Sequence, residues 1–236
     1  MKTTQFKTVG LLFFAATLLF SCKKENDTPT TTVTDEEAAE VISLAVSGNA
    51  QGLATQTAEI TESANTYASI CGYSKDSSII RQNTIGLFSW NYNFQWQWAV
   101  LCNGGVPSVM NVNYNMKGTY DAPRISSNDN AVANVAVTNL LTGTQYILNG
   151  SYTRDGSQKS KIGGKNSFTS KVTINLSNLQ LIKTTGQIAS GTASVTITGS
   201  SSTGNSFSYS GNITFTGAKT ATITFTNGFV ANVSWA

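Results

Sequence analysis

Histidine is missing from all 236 residues. Its absence removes Ser-His-Asp and Cys-His mechanisms and the commonest zinc ligand. Charge is scarce too. Only 11% of residues are charged, against about a quarter in an ordinary soluble chain. No apolar run reaches the roughly 20 residues that a membrane-crossing helix needs. The longest, Val9 to Phe20, is interrupted by glycine and threonine. A phosphate loop is not formed either: Gly163-Gly164-Lys165 lacks the upstream glycine and the following hydroxyl residue, and reads as a turn. The remaining catalytic route is a carboxylate pair. After Ile79 the only acids are Asp121, Asp129 and Asp155, each beside turn-forming residues where Asp is expected for local reasons. The chain therefore reads as a non-enzyme with neither metal nor cofactor.

Serine, threonine, asparagine and glycine fill the polar positions instead, and 40% of residues are apolar. That is ample for a core and argues against disorder. A helical signature opens at Thr34, with Glu37 three residues on as a capping box and Asp35 and Glu36 in the first turn. Val41, Ile42, Ala45 and Val46 offer an apolar stripe, and Gly48-Asn49 should end that helix. A second helical stretch is expected from Leu53 to Tyr67, with Ile60 and Ala64 on one side. The sheet is expected to start after Cys71-Gly72.

From Thr84 onward the period becomes two. Phe88, Trp90, Tyr92, Phe94, Trp96 and Trp98 alternate with Ser89, Asn91, Asn93, Gln95 and Gln97. A strand from Ile85 to Cys102 is so long that it must coil around something or break at a bulge. Met110, Val112, Tyr114 and Met116 continue the pattern, and further alternating segments run to Asn227-Gly228, a strong hairpin turn, and Trp235. About nine strands joined by short turns predict a mainly β fold. The expected form is an antiparallel meander making a curved half-barrel or barrel, with the N-terminal helical segment against its open end. A transmembrane barrel, with the apolar face toward lipid, is the competing reading of such alternation.

The N-terminus carries an address. Lys2 and Lys7 precede the apolar run, which ends in Leu19-Phe20-Ser21-Cys22. This resembles a bacterial lipobox, in which the cysteine becomes the first residue and carries lipid. Phe20 is bulkier than the usual residue at its position. Two or more acyl chains give stable anchoring, so the resemblance implies a permanent tether and a palmitoyl-type modification at Cys22. Lys23-Lys24-Glu25-Asn26-Asp27 resembles the surface-export signal of Bacteroidota lipoproteins, and Thr28 to Thr34 reads as a linker. The expected organisation is a signal peptide (1–21), a lipid-anchored tether (22–34), a helical segment (35–70) and an antiparallel β-domain (71–236). With the lipobox, Cys71-Gly72, Cys102-Asn103, Gly118-Thr119-Tyr120-Asp121 and the closing hairpins, the layout is similar to envelope lipoproteins of the Bacteroidota. That resemblance implies an outer-membrane location, with no activity to carry over.

An exported protein meets an oxidising compartment. Once Cys22 is set aside, Cys71 and Cys102 make one natural disulfide, with free buried thiols as the alternative. After Ile79, ten basic residues stand against three acids. This mild excess could favour anionic envelope partners, while the lack of a dense basic cluster argues against nucleic acid. The most suggestive binding residues are the aromatics Trp90, Trp96 and Trp98, which could stack on sugar or cover an apolar ligand, or simply fill a core. Tyr120 with Arg124 is a second candidate, as an approach and grip for an anion, or as a turn with a local Asp–Arg pair. Two functions follow as expectations. The first is a non-enzymatic envelope module that binds an apolar or amphipathic ligand or plays a structural role. The second is surface glycan binding or adhesion through exposed aromatics.

Overall fold

The computed structural model describes residues 32–235. The expected signal peptide, Cys22 and most of the expected tether lie outside the described residues. Two helices precede ten strands: α1 (Asp35–Val46), α2 (Leu53–Tyr67), β1 (Ser74–Asn83), β2 (Ser89–Asn103), β3 (Val106–Asp121), β4 (Ile125–Thr138), β5 (Gln145–Ser160), β6 (Ser167–Ile182), β7 (Ile188–Ser201), β8 (Ser206–Gly217), β9 (Thr220–Phe225) and β10 (Val230–Ser234). The strands form one antiparallel sheet in sequence order, so every neighbour in space is a neighbour in the chain. β1 and β10 are its edges, and the sheet does not close into a barrel.

Period two decides which face each residue takes. On β2, Tyr92, Phe94, Trp96, Trp98 and Val100 are buried, while Asn91, Asn93, Gln95 and Gln97 are exposed. The same phase runs through Met110 to Met116, Ala131 to Val137, Val172 to Leu176 and Ala193 to Ile197. The apolar face therefore turns inward and the outward face is polar, the reverse of a barrel that meets lipid. β3, β5 and β6 each run 16 residues, about three times the usual strand. They coil, and the register slips at Leu101/Cys102, Leu148/Gly150, Ser177/Gln180 and Phe215/Gly217. One inward row is almost free of side-chain bulk: Gly118, Asp129, Gly156, Ser170 and Gly199 lie side by side on adjacent strands. A Cβ at Gly118 would stand 2.0 Å from the Asn91 carbonyl oxygen, and one at Gly199 1.9 Å from that of Thr169. Only glycine permits this close approach of backbones.

The helices lie on the inward face, not against an open end. α1 starts with the expected capping box: the Thr34 hydroxyl accepts from the Glu37 N–H (3.2 Å) and the Glu37 carboxylate from the Thr34 N–H (3.1 Å). Eight of its 12 residues are buried, well beyond a single stripe. That is the pattern of a helix enclosed by its fold. Side chains from across the sheet hold the pair. Arg81 on β1 pairs with Glu59, Tyr146 on β5 donates to the Asn65 side-chain Oδ1 (2.8 Å), and Tyr209 on β8 donates to the Val33 backbone carbonyl (2.6 Å). Val33 itself is buried, so the chain is docked before α1 begins. Helices and sheet share one continuous core. Cys71 and Cys102 are disulfide-bonded across 31 residues, joining the segment after α2 to β2. In the chain-entropy account such a closure stabilises by about 3–4 kcal/mol.

Candidate functional site

Two places on this scaffold concentrate polar chemistry, one sealed inside and one open outside. The inner one is built around Arg154 on β5, whose side chain is only 4% exposed. Its Nε donates to Asp129 Oδ2 on β4 at 2.7 Å. Its Nη2 donates to the Tyr92 hydroxyl (2.6 Å) and the Ala50 carbonyl (3.1 Å), and its Nη1 to the Leu44 carbonyl (3.2 Å). Tyr92 in turn donates to Asp129 Oδ1 at 2.9 Å. The guanidinium also stands 5.0 Å from the centre of the Tyr120 ring. Leu44 is in the last turn of α1, which carries no basic residue of its own. Arg154 thus supplies from the sheet the cation that the negative end of the helix favours, and satisfies a carbonyl the helix leaves open.

The electrostatics match a locked structural pair. Burial by itself would lower the pKa of Arg154, but Asp129 and the surrounding tyrosines more than reverse this and raise it. Burial drives the hydroxyls of Tyr92, Tyr114, Tyr120 and Tyr152 above their ordinary value, with Arg154 opposing the rise. They stay protonated at neutral pH. The donors of Arg154 are nearly all engaged, so the cluster has little capacity left for an external anion. It fastens the helices to the sheet. Among the described residues, no three His, Cys, Asp or Glu side chains come together to hold a metal.

The outer candidate is a cleft of about 640 Å³ across the ends of β1 to β6. Its lining includes Trp90, Tyr120, Asn91, Thr119, Asn128, Ser157, Gln158, Asp121 and Lys159. The register explains the arrangement. Asn91, Thr119, Asn128 and Ser157 lie side by side on four adjacent strands in the outward phase, and Trp90, Tyr120 and Gln158 belong to the neighbouring inward row, so the cleft draws on both phases at the strand ends. The next outward row is Lys117, Asn130, Asp155, Lys171 and Thr198. A second depression of about 630 Å³ follows that row and shares Asn128 and Ser157 with the first. Hydroxyls and amides therefore repeat at the inter-strand spacing of about 4.8 Å, with isolated charges of both signs among them.

The structure separates the residues that the sequence singles out. Trp96 and Trp98 are buried in the aromatic layer, with Trp96 stacked on Tyr114 at 5.0 Å between ring centres. Tyr120 is buried beside Arg154 and also contributes to the cleft. Trp90 is half-buried and lines the cleft. Arg124 is exposed and pairs with Glu40 on α1 at 3.0 Å, not with Asp121. Asp121 instead accepts from Lys161 at 2.5 Å. Gly163-Gly164-Lys165 lies in the connection between β5 and β6. Asp129 and Asp155 lie in mid-strand, not in turns. Asp129 and Arg154 could have been found as a pair: each is a charge in the inward phase of its strand, and a charge there demands a partner.

No family model, curated protein or solved structure matches the chain.

Proposed function

We propose that this chain is a lipid-anchored, non-enzymatic binding module of the bacterial outer membrane, displayed toward the exterior, and that its ligand is a glycan held in the cleft beside Trp90. The anchoring part of the reading rests on Leu19-Phe20-Ser21-Cys22 and the charged residues that follow. The observation that carries the ligand class is the composition of the cleft. A half-buried tryptophan lies among amide, hydroxyl, carboxylate and ammonium groups. Indole faces cover the apolar faces of sugar rings, and dense short polar side chains meet their hydroxyls. An apolar ligand enclosed by the sheet has less support, because α1 and α2 occupy the inward face and their residues join its core. The engaged Arg154 and the absence of histidine weigh against catalysis.

The experiment is a titration of the lipid-free protein with polysaccharide from the outer surface of the native cell, followed by tryptophan fluorescence. Trp90→Ala should abolish binding while the far-UV spectrum is kept, and Asn128→Ala should weaken it. Saturable binding that survives Trp90→Ala would move the site elsewhere. A lipid that copurifies at one per chain in native mass spectrometry would replace the glycan reading with the apolar one. Replacement of Cys22 by Ser should release the full chain from washed membranes.

A further inference from the structure

In a meander, alternate turns fall on the same end of the sheet. The β1–β2 turn (84–88), the β5–β6 connection (161–166) and the β9–β10 turn (226–229) therefore share one end. The chain enters the fold at that end. Asn166 donates to the Thr32 carbonyl at 3.4 Å, and Asn227 donates to Asp35 Oδ1 at 2.8 Å. The outer cleft opens there too. Ser167, next to Asn166, lines it, and so do Thr84 and Ser89 on either side of the β1–β2 turn. That turn carries the two most exposed large apolar side chains among the described residues, Ile85 at 83% and Leu87 at 78%. Their exposure is held in place. The Asn83 side chain donates to the Ile85 carbonyl (3.1 Å) and the Phe88 carbonyl (2.7 Å) and accepts from the Ile85 N–H (3.2 Å), which fastens the turn beneath them. An apolar pair fixed at the rim of a polar cleft suits a boundary between sugar and hydrocarbon.

We propose that the ligand of the cleft is a glycolipid of the membrane that holds the protein, its sugars beside Trp90 and its acyl chains in the bilayer past Ile85 and Leu87. This rests on the glycan reading of the cleft and on the anchor at Cys22. The length of chain ahead of the fold favours a membrane-held sugar over a free polysaccharide. Ten residues separate Cys22 from Val33, a reach of at most about 40 Å when fully stretched. The cleft end is thereby kept near the lipid. The other end of a 16-residue strand such as β5 lies about 50 Å further along at ~3.3 Å per residue. A sugar fixed to the same leaflet meets the cleft at a high effective concentration, set by the tether. Such a ligand is amphipathic, yet it needs no apolar cavity in the protein. The bilayer keeps its acyl chains, which agrees with an inward face already filled by α1 and α2.

The probe is the glycolipid fraction extracted from the native outer membrane. It is offered in vesicles of phosphatidylethanolamine and phosphatidylglycerol, or free in solution after its acyl chains are removed. The full chain carrying Cys22→Ser is titrated with each form. The contact is reversible, so binding is read at equilibrium and without washing, by cosedimentation for vesicles and by tryptophan fluorescence for the free glycan. The vesicle-borne form should bind about tenfold or more tightly than the deacylated one, from partial burial of two large apolar side chains. Ile85→Ser combined with Leu87→Ser should erase that gain and leave the free glycan bound as before. Trp90→Ala should abolish both, with circular dichroism showing that each variant is folded. Equal affinity for the two forms, or a gain that survives the paired substitution, overturns the proposal and leaves the glycan reading standing. Equal binding to vesicles without the glycolipid overturns it also, as does a native chain whose mass shows no lipid on Cys22. Binding of neither form, or binding that survives Trp90→Ala, overturns the glycan reading and this proposal with it.

Discussion

The two faces of β2 share one backbone and differ in almost everything else. Inward, Tyr92, Phe94, Trp96 and Trp98 form a layer of rings spaced 5.9 to 6.5 Å along the strand. Outward, Asn91, Asn93, Gln95 and Gln97 are exposed and make few side-chain bonds. The aromatic face attracts attention as a binding surface, yet the sheet curls around it and the helices cover it. The polar face looks like ordinary solvated surface, yet two depressions open along it, the first drawing also on Trp90 and Tyr120 of the inward phase at the strand ends. Residue type alone did not say which face was site and which was core. Curvature did, because the concave side of a coiled sheet is the side that gets filled.

The contrast can be broken most severely at Arg154. Arg154→Ala should destabilise the fold by about 3–5 kcal/mol, since it strands Asp129 as a buried charge and leaves the Leu44 and Ala50 carbonyls without their donors. Removing Asp129 as well should restore part of the loss, and denaturant titration of the two single variants and the double would measure that coupling. Trp96→Ala follows closely at about 3–5 kcal/mol, the usual effect of truncating a buried aromatic. An unchanged melting temperature in that variant would return the aromatic layer to the surface.

Alkali offers a milder test. The tyrosines of the unfolded chain ionise near 10.0, whereas burial raises the values of Tyr92, Tyr114, Tyr120 and Tyr152 in the fold. Above pH 10 the folded state therefore holds more protons than the unfolded one. The tyrosine contribution to stability, complete below pH 10, is lost as pH rises toward the folded values. The loss is about 1.4 kcal/mol per buried tyrosine per pH unit. Tyrosinate absorbance from these four should appear together with loss of the far-UV signal. If all eight tyrosines titrate near pH 10 with the sheet intact, the inward face is open to water. The smallest effect belongs to the outward face: Gln95→Ala should shift stability by less than about 0.5 kcal/mol.

Much of the architecture could be read from the sequence, for identifiable reasons. Period two along β2 to β9 requires only that one face be buried. The Thr34–Glu37 cap is a contact between residues three apart, visible in any window of four. β1 is not legible as a separate strand, although the sheet is expected to start after Cys71-Gly72, because neither of its faces is fully buried and Lys75-Asp76-Ser77-Ser78-Ile79-Ile80-Arg81 carries no alternation. The enclosure of α1 was under-read. Its stripe of Val41, Ile42, Ala45 and Val46 suits a surface helix, and only Ala38, Ala39 and Leu44, equally buried, show that a second side is covered. The outer cleft needs the register of β1 to β6 at once. Asn91, Thr119, Asn128 and Ser157 come from four different strands and meet only when each hairpin has its observed length.

The sealed inward face depends on the helices being part of the core and not a cover that opens. Native-state amide hydrogen exchange measures this directly. Ala38 to Val46 of α1 should be protected to the same free energy as the centre of β5 and should lose that protection together with it in denaturant. Exchange of α1 at low free energy while β4 to β6 remain protected would make the helices a detachable lid. It would reopen the inward face to an apolar ligand and contradict the division of the sheet into a sealed inner core and an outer binding surface.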